Sequence, residues 1–237
     1  MQPFGSVDAN GSKAVTLTPT QNGSGPVDEE FKYTLNATNV CGGSDTKTVA
    51  VRMKGSVEPI PQVLLQSVFF PTDYPTKENP SLGLLRSQQD TLTTLADGFK
   101  KYLEYDPDAK LTVDAYTDER GPDAYNKTLS EMRAQRVKDF LVSQGISADK
   151  IDTTANGKEK PLDKATVIDL QAKDPNQAPE DRAKNFQATW LAYNRRVDIV
   201  LLPTKTESTK FYPHQAADSE ILWQRPKPDP SEVEKNN

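Results

Sequence analysis

Through the first 54 residues, apolar and polar positions alternate. KAVTLTPT sets Val15 and Leu17 between polar residues, EFKYTLNA puts Phe31, Tyr33, Leu35 and Ala37 on one face, and KTVAVRM does the same with Val49, Val51 and Met53. A period of two predicts half-buried strands. Between the last two lies TNVCGGSD, where Gly42 and Gly43 accept the positive φ of a tight turn, so this region predicts a β-hairpin. The Gly- and Pro-containing run KGSVEPIPQ then reads as a linker, over 55–62.

The period changes after the linker. VLLQSVFF is a short continuous apolar run, as in a strand buried on both faces. A loop with three prolines follows, PTDYPTKENPSLG. Then Leu92, Leu95, Ala96, Phe99 and Leu103 recur at helical spacing and stop at Asp106-Pro107. KLTVDAYTD predicts a second strand, with Leu111, Val113 and Ala115 on its inner face. A second helix is expected from Pro122 to Gly145, with Tyr125, Leu129, Met132, Val137, Phe140 and Leu141 as its buried stripe. KIDTTANGKEKP and RRVDIVLL read as third and fourth strands. The long insert between them (162–193) is predicted to be helical from Pro179 to Tyr193, with Ala183, Phe186, Trp190 and Tyr193 on one side. The order β-α-β-α-β-(helical insert)-β over 63–202 implies an α+β domain, a mixed sheet with helices on one face. Residues 203–237 are polar and Pro-rich and are expected to be extended, with ILWQ as the one segment suited to dock.

Composition narrows the chemistry. The 237 residues are 35% hydrophobic, include 18 prolines and carry a net charge of −5, so there is no broad basic field for nucleic acid. No apolar run is long enough for a membrane span. The start, MQPFGSVDANGS, lacks the basic and apolar regions of a signal peptide. One cysteine (Cys41) and one histidine (His214) exclude a Cys/His zinc site and an internal disulfide, and no cofactor is expected. No Ser-His or Cys-His arrangement suits catalysis, although Asp114, Asp118 and Glu119 are nearby carboxylates, and the chain is not expected to be an enzyme.

The most informative stretch is TDERGPDAYNKTLSEMRAQR, 117–136. Asp118 closes a strand, and Arg133 lies about three turns into the following helix. Asn126, Leu129, Ser130 and Arg133 share one helix flank. A carboxylate and a guanidinium on one rim suit a zwitterion: the acid takes an ammonium and the arginine forks a carboxylate. On spacing alone, an ordinary surface salt bridge worth less than about 1 kcal/mol is the better explanation of the pair, because such pairs are common on helix flanks.

Thr117-Asp118, Gly121, Tyr125-Asn126, Leu129-Ser130, Arg133-Ala134, Gly157, Pro161 and Asn194-Arg195-Arg196-Val197 occur in this order. The set resembles the signature of the OmpA-like peptidoglycan-binding domain, as in OmpA, Pal and MotB, over about 63–202. The resemblance implies non-covalent binding of peptidoglycan through the diaminopimelate residue of its stem peptide. It also implies an envelope protein anchored to the wall, in the periplasm, outer membrane or surface of a Gram-negative-type bacterium. Carried over, Asp118 and Arg133 hold the amino-acid end of diaminopimelate, and Thr117, Asn126 and Leu129 complete the pocket. Adjacent strand residues point to opposite faces, so only one arginine of Asn-Arg-Arg-Val faces the ligand, and Arg195 is preferred. The loop around Thr72 and Asp73 is where the family closes over its ligand. Ala115, Tyr116 and Ala155 depart from the family's Gly, His and Gly, which leaves open a surface protein that kept the fold and lost wall binding. The strands in 1–54 resemble the end of an immunoglobulin-like module whose first strands precede Met1. Cys41 is then either a thiol with an upstream partner or an unpaired buried thiol. The exposed edges of this segment offer a surface for envelope partners or self-association.

Overall fold

The computed structural model describes residues 14–20, 24–174, 185–211 and 216–237. The chain divides into two compact units between Ile60 and Pro61.

The first unit is the expected hairpin. Strands β1 (Gly25–Thr38) and β2 (Ser44–Val57) pair antiparallel, with Phe31 opposite Val51 and Tyr33 opposite Val49. β2 therefore runs three residues into the predicted linker. Asn39 shapes the turn: its side chain accepts from Cys41 N at 3.0 Å and Gly43 N at 2.9 Å, and Gly42 takes φ +83°. One face is polar, where Arg52 forks the Asp28 carboxylate. The other face is apolar but mostly uncovered: Leu35, Val49 and Val51 are 54, 59 and 41% exposed. Residues 14–20 form no strand, contrary to the alternation of Val15 and Leu17. Alternation marks which side of a strand is apolar, yet a strand also needs a neighbour to pair with. Instead Thr20 donates its amide and hydroxyl to the Glu29 carboxylate. Cys41 is free and exposed in the hairpin turn, so it is not the buried thiol that was one of its two expected states.

The second unit is a mixed-sheet α+β domain. Its elements are β3 (Val68–Phe69), α1 (Arg86–Tyr105), β4 (Lys110–Ala115), α2 (Asp123–Ser143), β5 (Ile151–Ala155), α3 (Lys164–Lys173), α4 (Phe186–Asn194), β6 (Arg196–Leu202), β7 (Thr206–Glu207), α5 (Ala216–Trp223) and α6 (Pro230–Lys235). The sheet runs β3-β6-β4-β5, with β7 on β6. β4 and β5 are parallel, and β6 is antiparallel to both β4 and β3. β4 realises the predicted alternation: Leu111, Val113 and Ala115 are fully buried between half-buried neighbours. They meet Leu92, Leu95 and Phe99 of α1 and Val137 and Leu141 of α2. The apolar run before the first helix is a strand only at Val68–Phe69, though Ser67 to Phe70 is buried throughout.

Three elements depart from expectation. The buried face of α2 is Asn126, Leu129, Ser130, Arg133, Ala134, Val137 and Leu141, while Tyr125 is 46% exposed. An apolar-periodicity rule misplaces this stripe because its first half buries polar groups. Helix α3 was not foreseen: Val167 is its one buried residue, so it leaves no stripe, and Asp163 caps it by accepting from Thr166 N at 2.7 Å. In the rest of the insert, α4 carries Phe186, Trp190 and Tyr193 as expected; Pro179 and Ala183, like His214, lie outside the described residues.

The tail is folded rather than extended. Ile221, Leu222 and Val233 are buried in a second cluster with Phe69, Tyr74, Leu85 and Tyr193. Arg86 N donates to Asn236 O at 2.7 Å, which ties α6 to the start of α1. Ile221 and Leu222 belong to ILWQ, the segment suited to dock, whereas Val233 carries no local signal and only the partner surface gives it a place.

These two environments predict different costs. Phe99→Ala, at a fully buried position, should destabilise by about 3–5 kcal/mol in denaturant unfolding, whereas Leu35→Ala should change stability by about 0.5 kcal/mol or less. Equal effects would contradict the assignment of the core.

Candidate functional site

Beyond β4 the chain leaves the sheet as Tyr116-Thr117-Asp118. Tyr116 N donates to Arg196 O at 2.8 Å and Thr117 N to Gly157 O at 2.7 Å. Gly157 sits at φ +56°, and a Cβ there would lie 3.4 Å from Lys127 N, so the loop approaches α2 through a residue without a side chain. Gly157 N in turn donates to Ser130 Oγ at 2.9 Å. Asn126 holds the 120–122 turn from α2, its Nδ2 donating to Arg120 O at 2.8 Å.

Asp118 is thereby placed in a loop rather than at a strand end, and it is 5% exposed. Its Oδ1 accepts from Arg120 N at 3.1 Å and Arg120 Nε at 3.0 Å. Its Oδ2 accepts from Arg120 Nη2 at 2.7 Å and Arg195 Nη1 at 3.1 Å. Four donors match the acceptor capacity of a carboxylate. Burial alone would raise this carboxyl, but the hydrogen bonds from Arg120 and the charges of Arg195 and Arg120 outweigh it and hold it below the ordinary range. Arg195, itself 2% exposed, also donates to Phe70 O at 3.1 Å and to Leu222 O. Its neighbour Arg196 points to the other face. There it pairs with Asp198 at 3.0 Å and lies 4.0 Å over the Tyr116 ring.

Arg133 has no exposure at all. It does not pair with Asp118. Its Nε donates to Tyr74 O at 3.0 Å, Nη1 to Tyr116 O at 2.9 Å and Nη2 to Pro71 O at 3.3 Å. Among the described residues no carboxylate lies within ion-pair distance of it. Burial, with the charge of Arg195, pushes this guanidinium down to about 9, so it stays charged at neutral pH.

These groups surround a cleft of about 460 Å³. Thr117, Asp118, Asn126, Leu129, Arg133 and Arg195, the six expected ligand-binding residues, all line it, while Ser130 and Glu119 do not. Thr72 and Asp73 join them. The Thr117 hydroxyl is buried there with no hydrogen-bond partner among the described residues. Ala115, Tyr116 and Ala155, the departures that cast doubt on binding, do not line the cleft, and neither does Asp114. Sequence reading missed Arg120 and the tail residues Arg225, Pro226 and Lys227 on the cleft wall. Arg120 lay within the quoted motif, two positions beyond Asp118, where an Asx turn reaches. The tail had no signal. Among the described residues no cluster of three metal-ligating side chains occurs, and no helix is long and apolar enough to cross a membrane.

A mixed sheet with two helices over one face and a cationic cleft beyond the end of β4 defines the class of domain. Residues 81–174 match the OmpA family, and the chain carries an OmpA family domain. It is 33% identical over 123 residues to the peptidoglycan-binding protein ArfA of Mycobacterium tuberculosis, covering 52% of this chain and 30% of ArfA. It is 37% identical over 95 residues to the peptidoglycan-associated lipoprotein of Agrobacterium fabrum, covering 40% of this chain and 48% of that protein. The chain thus spans less than half the length of these curated relatives. The crystal structure of the peptidoglycan-associated lipoprotein from Burkholderia pseudomallei aligns with a TM-score of 0.39 at 26% identity, over 57% of this chain and 89% of that one.

Acid should weaken the domain through Asp118. A carboxyl whose folded pKa lies below its unfolded value, near 3.9, adds stability above that value and loses it as pH falls through the folded one. Asp118→Asn should be less stable than wild type by about 3 kcal/mol at neutral pH, and the gap should close below about pH 4. Melting curves across this range test it; a gap that does not change with pH would show that the carboxylate is not held by its arginines.

Proposed function

We propose that this domain binds peptidoglycan non-covalently through the diaminopimelate residue of the stem peptide and anchors an envelope protein to the cell wall. The observation that carries this reading is Arg133: a fully buried cation on a cleft wall, held by carbonyls and without an acid of its own. Three of its five N–H groups are engaged by those carbonyls, leaving two for a ligand carboxylate. The unpartnered Thr117 hydroxyl beside it adds a further polar contact. Asp118 takes the ligand's ammonium in exchange for the Arg120 guanidinium, and Arg195 keeps the carboxylate in position. Leu129 supplies an apolar wall and Asn126 fixes the turn. The relatives, a peptidoglycan-binding protein and a peptidoglycan-associated lipoprotein, support the same ligand and a location in the periplasm, outer membrane or cell surface.

Co-sedimentation with purified sacculi, with and without free diaminopimelate, tests the reading. Wild type should pellet, and diaminopimelate should release it. Asp118→Ala and Arg133→Ala should lose at least about tenfold in affinity, each forfeiting a charge-assisted contact. Circular dichroism checks that both fold.

Thr117→Val separates binding from folding. It removes a buried hydroxyl that has no partner in the free protein, so the variant should be as stable as wild type or more so. Its affinity for sacculi should fall about two- to tenfold. A wild-type protein that stays in the supernatant would refute the assignment.

A further inference from the structure

The tail turns across the mouth of this cleft. Thr72 Oγ1 donates to Gln224 O at 2.8 Å, Arg120 Nη1 to Arg225 O at 2.6 Å and Tyr74 OH to Pro228 O at 3.1 Å. On either side of this segment, Leu222 and Val233 are fully buried. The backbone from 224 to 228 is therefore fixed to the loops after β3 and β4, and it presents Arg225 and Lys227 on the cleft wall. Both side chains belong to exposed residues, and neither makes an ion pair among the described residues; Lys227 Nζ lies 5.3 Å over the Tyr74 ring.

The cleft is lined by five cations: Arg120, Arg133, Arg195, Arg225 and Lys227. Only two acids, Asp73 and Asp118, oppose them. The amino-acid end of diaminopimelate is a zwitterion and leaves this excess unchanged. Its carboxylate answers Arg133, and its ammonium occupies Asp118 and frees Arg120. A ligand that matches the cleft must bring at least one more negative charge to the mouth. Two cations on a fixed backbone suit a carboxylate there, Arg225 as a planar fork and Lys227 as a point charge that also faces the exposed Glu78.

We propose that Arg225 and Lys227 form a second subsite that holds a further free carboxylate of the stem peptide, so that the domain prefers stems with free acids over amidated ones. The inference rests on the reading of Asp118 and Arg133 as the clamp for the amino-acid end.

Isothermal titration calorimetry with three ligands tests it: diaminopimelate, the tripeptide alanyl-γ-glutamyl-diaminopimelate, and the same tripeptide with every carboxylate amidated except that of the clamped amino-acid end. Wild type should bind the free-acid tripeptide about tenfold more tightly than the amidated one. Arg225→Gln/Lys227→Gln should bring the two tripeptides to within about twofold of each other, and raised salt should erode the wild-type preference. Titration of the double variant with diaminopimelate reports whether its clamp is intact. Wild-type binding without preference, or a preference that survives in the double variant, overturns the subsite while leaving the clamp standing. Failure of wild type to bind any of the three overturns the clamp reading and the subsite with it.

Discussion

Arg133 is the constraint on which the rest of the second unit depends. A guanidinium without solvent contact is costly unless its donors are met, and here they reach the carbonyls of Pro71, Tyr74 and Tyr116. The first two follow β3 and the third follows β4, so one side chain on α2 fixes where two loops leave the sheet. Those loops carry Thr72, Asp73, Thr117 and Asp118. The cleft has its shape because the buried charge has its partners, and a site built this way is positioned before any ligand arrives.

Around that centre, charge is distributed unevenly. Asp118 is saturated by Arg120 and Arg195, so its carboxylate is held in place and ionised rather than left open. Arg133 has carbonyls but no carboxylate. The arrangement differs from the simple acid-arginine pair that spacing alone suggests. It is one cation held by carbonyls alone, next to an acid already paired with Arg120 and Arg195. The tail adds to the same surface, because Ile221, Leu222 and Val233 pay the entropic cost of ordering it against the domain.

Much of this was legible in the sequence, for local reasons. β4, the core face of α1 and the β1–β2 hairpin follow from periodicity, which is set by the geometry of the chain itself. The orientation of Arg195 and Arg196 to opposite sides follows from the alternation of adjacent residues. The start of α2 was harder: Asn126, Ser130 and Arg133 face inward, and a rule that seeks apolar stripes moved the buried face to Tyr125. Only the resemblance to a known motif marked those polar positions as meaningful.

By itself, then, the sequence determined the hairpin and the order of β3, α1, β4, α2, β5 and β6, because each is encoded by spacing along a few turns or a few strand positions, while the motif order marked the six cleft residues from Thr117 to Arg195. Only the tertiary structure decided that Asp118 is held by Arg120 and not by Arg133, that the tail folds back to place Arg225 and Lys227 at the mouth, and that the apolar face of the hairpin stays exposed. Those outcomes depend on which distant segments meet and on what burial costs a charge once they do, and neither is written in the local pattern of any one stretch.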